Sequence, residues 1–257
     1  MKGIFMVLLI ICIPSVALAL DMDPFEGPRP LAVLIETNPW LMVIGSDTPT
    51  VAIYDDGQLI YIKKEKDKSF SYFYKQLARE ELEAVKKKMV SFGDLSKIGK
   101  YYELTDVTDQ PEIKIYLNLD GNELTTTVYG LIELDEDGKL PESLKSLYEY
   151  LTTLDFKDAV PWKPQYIEVM IWEYEYAPDE SIHWPKEWPG LESPQAMKRG
   201  DSYSIFLPGA ELPRLLDFLG TRKPRGAVEI DGKKWAVDFR FTFPSEPVWF
   251  KAFREAK

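Results

Sequence analysis

Histidine and cysteine are almost absent from this sequence, with His183 and Cys12 the only one of each among 257 residues. Such a chain cannot assemble the three or four nitrogen and sulfur ligands of a usual zinc centre. Nor does His183 have a Gly-x-Ser-x-Gly elbow to serve as base for. The 15 glycines stand singly, without a Gly-x-Gly-x-x-Gly loop or a Walker lysine, so no phosphate cradle is encoded. Neither a metal nor a cofactor is expected. Positive charge is also scarce: 31 Lys and Arg oppose 42 Asp and Glu, leaving a net charge of −11. That balance repels a phosphate backbone and an anionic lipid surface, which excludes nucleic acid and membrane as natural partners.

Long apolar runs are missing, apart from one at the N-terminus. Met1-Lys2 supplies a positive charge, Ile4 to Ile13 an apolar stretch, Pro14 a break, and Ala17-Leu18-Ala19 the small-x-small pattern that signal peptidase reads. The run falls well short of the ~20 residues that span a bilayer. Residues 1–19 therefore read as a cleaved signal peptide, and the mature chain as exported, periplasmic or extracellular, without a stable membrane anchor. Cys12 follows Ile10-Ile11 inside the apolar core, where a lipoprotein needs small residues, so lipidation does not apply. Its removal leaves a chain with no disulfide, whose stability must come from a hydrophobic core. Aromatic content of 13%, with seven Trp, gives that core its material and argues against disorder.

Residues 20–30 are rich in proline and acid and read as an N-terminal arm. From there the pattern is strand, turn, strand, helix. Val51 to Tyr54 and Leu59 to Ile62 flank Asp56-Gly57, and a helix runs from about Arg79 to Ser91 with Leu82, Val85 and Met89 on one face. Lys86 to Lys88 near its end suit the helix dipole. The plan recurs with Glu112 to Leu119, Asp120-Gly121, Glu123 to Tyr129 and a helix over Glu142 to Leu154. Val160 to Pro164 is a rigid connector. Beyond it come a long strand, Tyr166 to Tyr176, a Pro-rich loop over 177–200, a strand from Ser202 to Leu207, and a helix over Glu211 to Leu219. A hairpin around Asp231-Gly232 follows, and its second strand places Asp238, Arg240 and Thr242 on a solvated side. The fold class is α+β, an antiparallel sheet built from β-hairpins with helices packed on one face, in two linked parts. These are a ββα-type domain over 31–160 and a second α+β part over 165–250.

The run Ile53 to Tyr61, the helix opening Glu80-Glu81-Leu82, and Thr105 to Pro111 leading into a strand resemble exported bacterial proteins of unknown function. The likeness covers roughly residues 50–160. It implies a fold and carries no active site with it.

Little in the sequence points to chemistry. Glu133 to Gly138 resembles the first half of a calcium-binding EF-hand loop, but Leu144 stands where the bidentate glutamate belongs, so these acids read as a turn. Carboxylate-only hydrolysis needs two converging acids; Glu173, Glu175, Asp179 and Glu180 are the first suspects because they border the richest aromatic stretch. That stretch holds Trp172, Tyr174 and Tyr176 on one side of the expected strand, then His183, Trp184 and Trp188 in the loop. Flat rings beside carboxylates suit stacking on a sugar or gripping a peptide. The competing reading has the same rings pack beneath the loop, as large aromatics usually do. The leading function is an exported, non-catalytic binding or interaction protein for a glycan or a peptide or protein ligand. The alternative is a carboxylate-dependent hydrolase of cell-wall or extracellular polymers.

Overall fold

The computed structural model describes residues 23–41, 43, 47–64, 70–135 and 137–256. The signal peptide read over 1–19, Cys12, and the first residues of the arm lie outside them. The chain is mixed α/β and mostly strand, with two sheets and four helices among the described residues.

The first sheet takes its elements from the first 161 residues. In chain order these are β1 (Pro30–Glu36), β2 (Val51–Tyr54), β3 (Gln58–Lys64), β4 (Phe70–Gln76), α1 (Arg79–Val90), β5 (Tyr101–Glu103), β6 (Glu112–Leu119), β7 (Asn122–Tyr129), α2 (Glu142–Thr152) and β8 (Val160–Pro161). The eight strands lie in the order β5-β7-β6-β1-β2-β3-β4-β8. Hairpin chemistry sets their register. Asp120 and Gly121, at φ 51° and 85°, form the two-residue turn between Leu119 and Asn122, because a turn with both central residues left-handed matches the strand twist. Gly57, at φ 90°, closes the β2–β3 loop, and its amide donates to the Tyr54 carbonyl at 3.1 Å.

Strand alternation then sorts the core. Leu34, Ile53, Leu59, Ile115 and Leu117 face α1 and α2, which contribute Leu82, Val85 and Met89, and Leu144, Leu147 and Leu151. The Glu81 carboxylate accepts from the Ala78 amide at 2.7 Å and so caps α1.

The second sheet is built from β9 (Tyr166–Glu173), β10 (Asp179–His183), β11 (Ala196–Arg199), β12 (Ser202–Pro208), β13 (Gly226–Ile230) and β14 (Lys233–Phe241), in the order β10-β13-β14-β9-β12-β11. Helix α3 (Leu212–Gly220) packs Leu215, Phe218 and Leu219 against Ile167, Val169, Ile171 and Val237 on one side of it. The last helix, α4 (Glu246–Ala256), leaves this sheet and returns to the first. There Trp249 and Phe253 pack on Val33, Ile35, Tyr54 and Tyr116.

Several sequence expectations are corrected here. The helices do not share one face of the first sheet, since α4 covers the side opposite α1 and α2; its Trp249 and Phe253, four residues apart, make the apolar stripe that draws it there. The sheets are not purely antiparallel, because β5 pairs parallel with β7 and β10 with β13. The 177–200 segment holds two strands, β10 between Pro178 and Pro185 and β11 after Pro194, so its prolines punctuate the strands and interrupt neither. Strand β9 ends at Glu173, and Tyr174 to Ala177 turn away, the Ala177 amide donating to the Tyr174 carbonyl at 3.3 Å. Arg240 and Thr242, read as solvent-facing, are buried where α4 begins.

Candidate functional site

The six aromatic and histidine candidates do not form one site. Trp184 and Trp188 are only 8% and 6% exposed. Their ring centroids lie 4.9 Å apart, with Phe218 of α3 edge-on to both. Each indole N–H is taken: Trp184 Nε1 donates to the Pro189 carbonyl at 3.0 Å and Trp188 Nε1 to the Glu211 carboxylate at 2.8 Å. These two rings hold the proline-punctuated segment onto the core and offer a ligand no face. The packing reading applies to them.

The other four candidates stand at the surface. Trp172 on β9 is 39% exposed and Tyr176, in the turn beyond, 88%; Tyr174 is half-buried. His183 on β10 is exposed, with Nδ1 3.8 Å from a Glu229 carboxylate oxygen. The pairing register places them. Trp172 lies opposite Ala236, His183 opposite Glu229, and Glu229 opposite Lys234. Side chains two apart on a strand share a face, so Trp172, Ala236, Glu229 and His183 all lie on the side of the sheet away from α3. Met170, Ser204 and Met197 form the adjacent row of the same face, with Met197 47% exposed. On this face Ala236 and Ser204 are buried while Trp172 is exposed. Arg199 borders it and pairs inward with Glu168 at 3.1 Å.

The suspected acids fall into two groups. Glu173 and Glu175 line a pocket of about 430 Å³ together with Lys233 and Lys234, so acid and base alternate there. Asp179 accepts from the Arg225 amide at 3.0 Å, and Glu180 pairs with Lys223 at 3.1 Å. Asp135, of the EF-hand-like stretch, accepts from the Lys139 and Leu140 amides at 2.7 and 3.2 Å and pairs with Lys145 at 2.7 Å. The Lys145 ammonium holds its carboxyl below the usual range. It is a turn residue. Among the described residues no group of three His, Cys, Asp or Glu side chains could hold a metal ion.

A close carboxylate pair exists elsewhere, where sequence reading did not look. Glu168 on β9 and Glu246 at the start of α4 both bond the guanidinium of Arg240 from β14, and the Ser204 hydroxyl donates to Glu168 at 2.5 Å. Glu168, Arg240 and Glu246 are all essentially inaccessible. Burial, reinforced by the charge of Glu168, outweighs Arg240 and pushes the Glu246 carboxyl up to about 7. The same two carboxylates raise the Arg240 guanidinium. An arginine stays charged at every accessible pH, so the protonation change in this cluster falls on Glu246. The cluster fastens α4 to the second sheet.

Sequence reading also passed over Trp40, which is 75% exposed in an Asn38-Pro39-Trp40 turn. An aromatic directly after an Asn-Pro turn signal was the clue available. No protein-family model matches the chain, and no curated protein or solved structure is significantly similar to it.

Proposed function

We propose that the chain is an exported, non-catalytic interaction protein that presents the open face of its second sheet to a peptide or protein partner. The observation that carries this reading is Trp172, standing exposed near Met170, Met197 and Arg199 on the side of the sheet opposite α3. Trp, Met and Arg are the side chains enriched in the cores of protein interfaces. An exposed ring outside any concave pocket suits a peptide or folded partner better than a small molecule, which needs concavity. Tyr176 and His183 would extend the contact towards its rim. Glu168 and Glu246 are too buried to serve as a hydrolase's carboxylates, because a general acid must reach its substrate.

The chain reads as two linked parts, 31–160 and 165–250, tied by the return of α4 and by the ring cluster of Tyr72, Trp162, Phe241 and Phe243. Such a tie keeps the open face rigid, which lowers the entropy lost on binding. A displayed-peptide library selected in parallel on the wild-type chain and on Trp172→Ala tests the proposal. Sequences enriched on the first and lost on the second support it. Equal enrichment on both would remove Trp172 from the contact.

A further inference from the structure

A second surface feature stands far from that face in the chain. Trp40 is the most exposed tryptophan among the described residues, and water gains nothing from such exposure. Its backbone is nonetheless fixed. The Asn38 amide donates to Asp47 at 2.8 Å, the Trp40 amide donates back to the Asn38 side-chain oxygen at 3.0 Å, and Leu41 donates to the Asn38 carbonyl. Pro39 stiffens the turn between them.

Facing this turn is a second fixed wall, Asp109-Gln110-Pro111. Asp109 holds a left-handed φ of 57°. The Gln110 amide donates to the Tyr129 hydroxyl at 3.2 Å, and that hydroxyl donates to the Val107 carbonyl at 2.8 Å. Between the walls lies a pocket of about 320 Å³, lined by Thr37, Asn38, Pro39, Trp40 and the second wall. Among the described residues, no hydrogen bond or ion pair engages the Asp109 carboxylate. The lining contains no Lys or Arg.

The chemistry of this slot is specific. One exposed indole offers a flat apolar platform, two carboxamides and a carboxylate offer acceptors and donors around it, and nothing offers positive charge. The volume is at the low end for ligand pockets, so it takes one ring. A proline-rich peptide would need a groove lined by several aromatics, and here there is one. We propose that Trp40, Asn38, Asp109 and Gln110 form a binding subsite for a single pyranose ring of an uncharged saccharide. The ring stacks its C–H face on the indole while its hydroxyls bond the Asp109 carboxylate and the Asn38 and Gln110 amides. An anionic sugar is repelled by Asp109.

The test is a titration of the ¹⁵N-labelled full chain, separately, with maltohexaose, cellohexaose and N-acetylchitohexaose. The expected result is that at least one of them moves the Trp40 indole signal and the Asn38 and Gln110 side-chain amides, with a Kd on the order of 1 mM. Trp40→Ala, a surface change that leaves the melting temperature in place, then weakens binding at least about tenfold, and Asp109→Asn weakens it several-fold. Trp172→Ala leaves it unchanged. No shift at Trp40 with any of the three, a shift that survives in Trp40→Ala, or stronger binding of an anionic oligosaccharide would each overturn the assignment.

Discussion

The buried Glu246 makes the stability of this protein depend on pH in a direction opposite to that of most carboxylates. Its carboxyl titrates near 7 in the folded chain, because burial and the neighbouring Glu168 outweigh Arg240, against an ordinary value of 4.5. Between these values the folded chain binds a proton that the unfolded chain has released. Stability is therefore fully present below about pH 4.5 and falls as pH rises through about 7. At ~1.4 kcal/mol per pH unit the loss is about 3 kcal/mol, a large part of a typical domain's total of about 5–15 kcal/mol. Asp47, also raised by burial, adds a smaller fall of the same sign. The carboxyls held low, Asp94, Asp135 and Asp158, act only below their ordinary value of 3.8 and leave this window clear. Urea unfolding at about pH 5 and pH 7.5 should show the drop in wild type, and Glu246→Gln, which mimics the protonated acid, should remove most of it. A wild type equally stable at both pH values, or a Glu246→Gln chain that keeps the drop, would refute the reasoning.

The remaining expectations are simpler. Arg240→Met leaves Glu168 and Glu246 buried without their shared cation and should cost about 3–5 kcal/mol by urea unfolding at pH 7.5, with the double change Glu168→Gln, Glu246→Gln restoring part of it. Trp184→Ala and Trp188→Ala should each cost about 3–5 kcal/mol, because both rings are core; a loss near zero would return them to the surface. The intact mass of the exported chain should correspond to a start at Leu20, and a mass retaining Met1 to Ala19 would exclude cleavage there.

What the sequence made legible was local. The three Asp-Gly pairs sit at hairpins because positive φ is a property of one or two residues; Asp120 and Asp231, with their glycines, adopt it together. The helices α1 and α2 lie where apolar spacing placed them, within one or two residues. Burial of polar groups was not legible. Arg240 alternates correctly with Phe239 and Phe241, yet its face is covered by the α4 turn carrying Glu246, a helix that the sequence reading did not include. The same limit explains the aromatic region. Alternation could not tell that Trp184 packs on the α3 side of the sheet, against Phe218, while His183 and Trp172 lie on the opposite side. Trp40 was passed over because its turn signals lie outside any periodic segment.

The most direct test of the interaction-face account is an NMR spectrum of the labelled chain bound to the tightest peptide from the displayed library. The account predicts that the Trp172 indole and the Met170 and Met197 methyl signals move, and that Trp172→Ala weakens that peptide by about thirtyfold, the mark of a hot-spot tryptophan, at an unchanged melting temperature. Movement confined to signals on the α3 side of the sheet, or full affinity in Trp172→Ala, would contradict it.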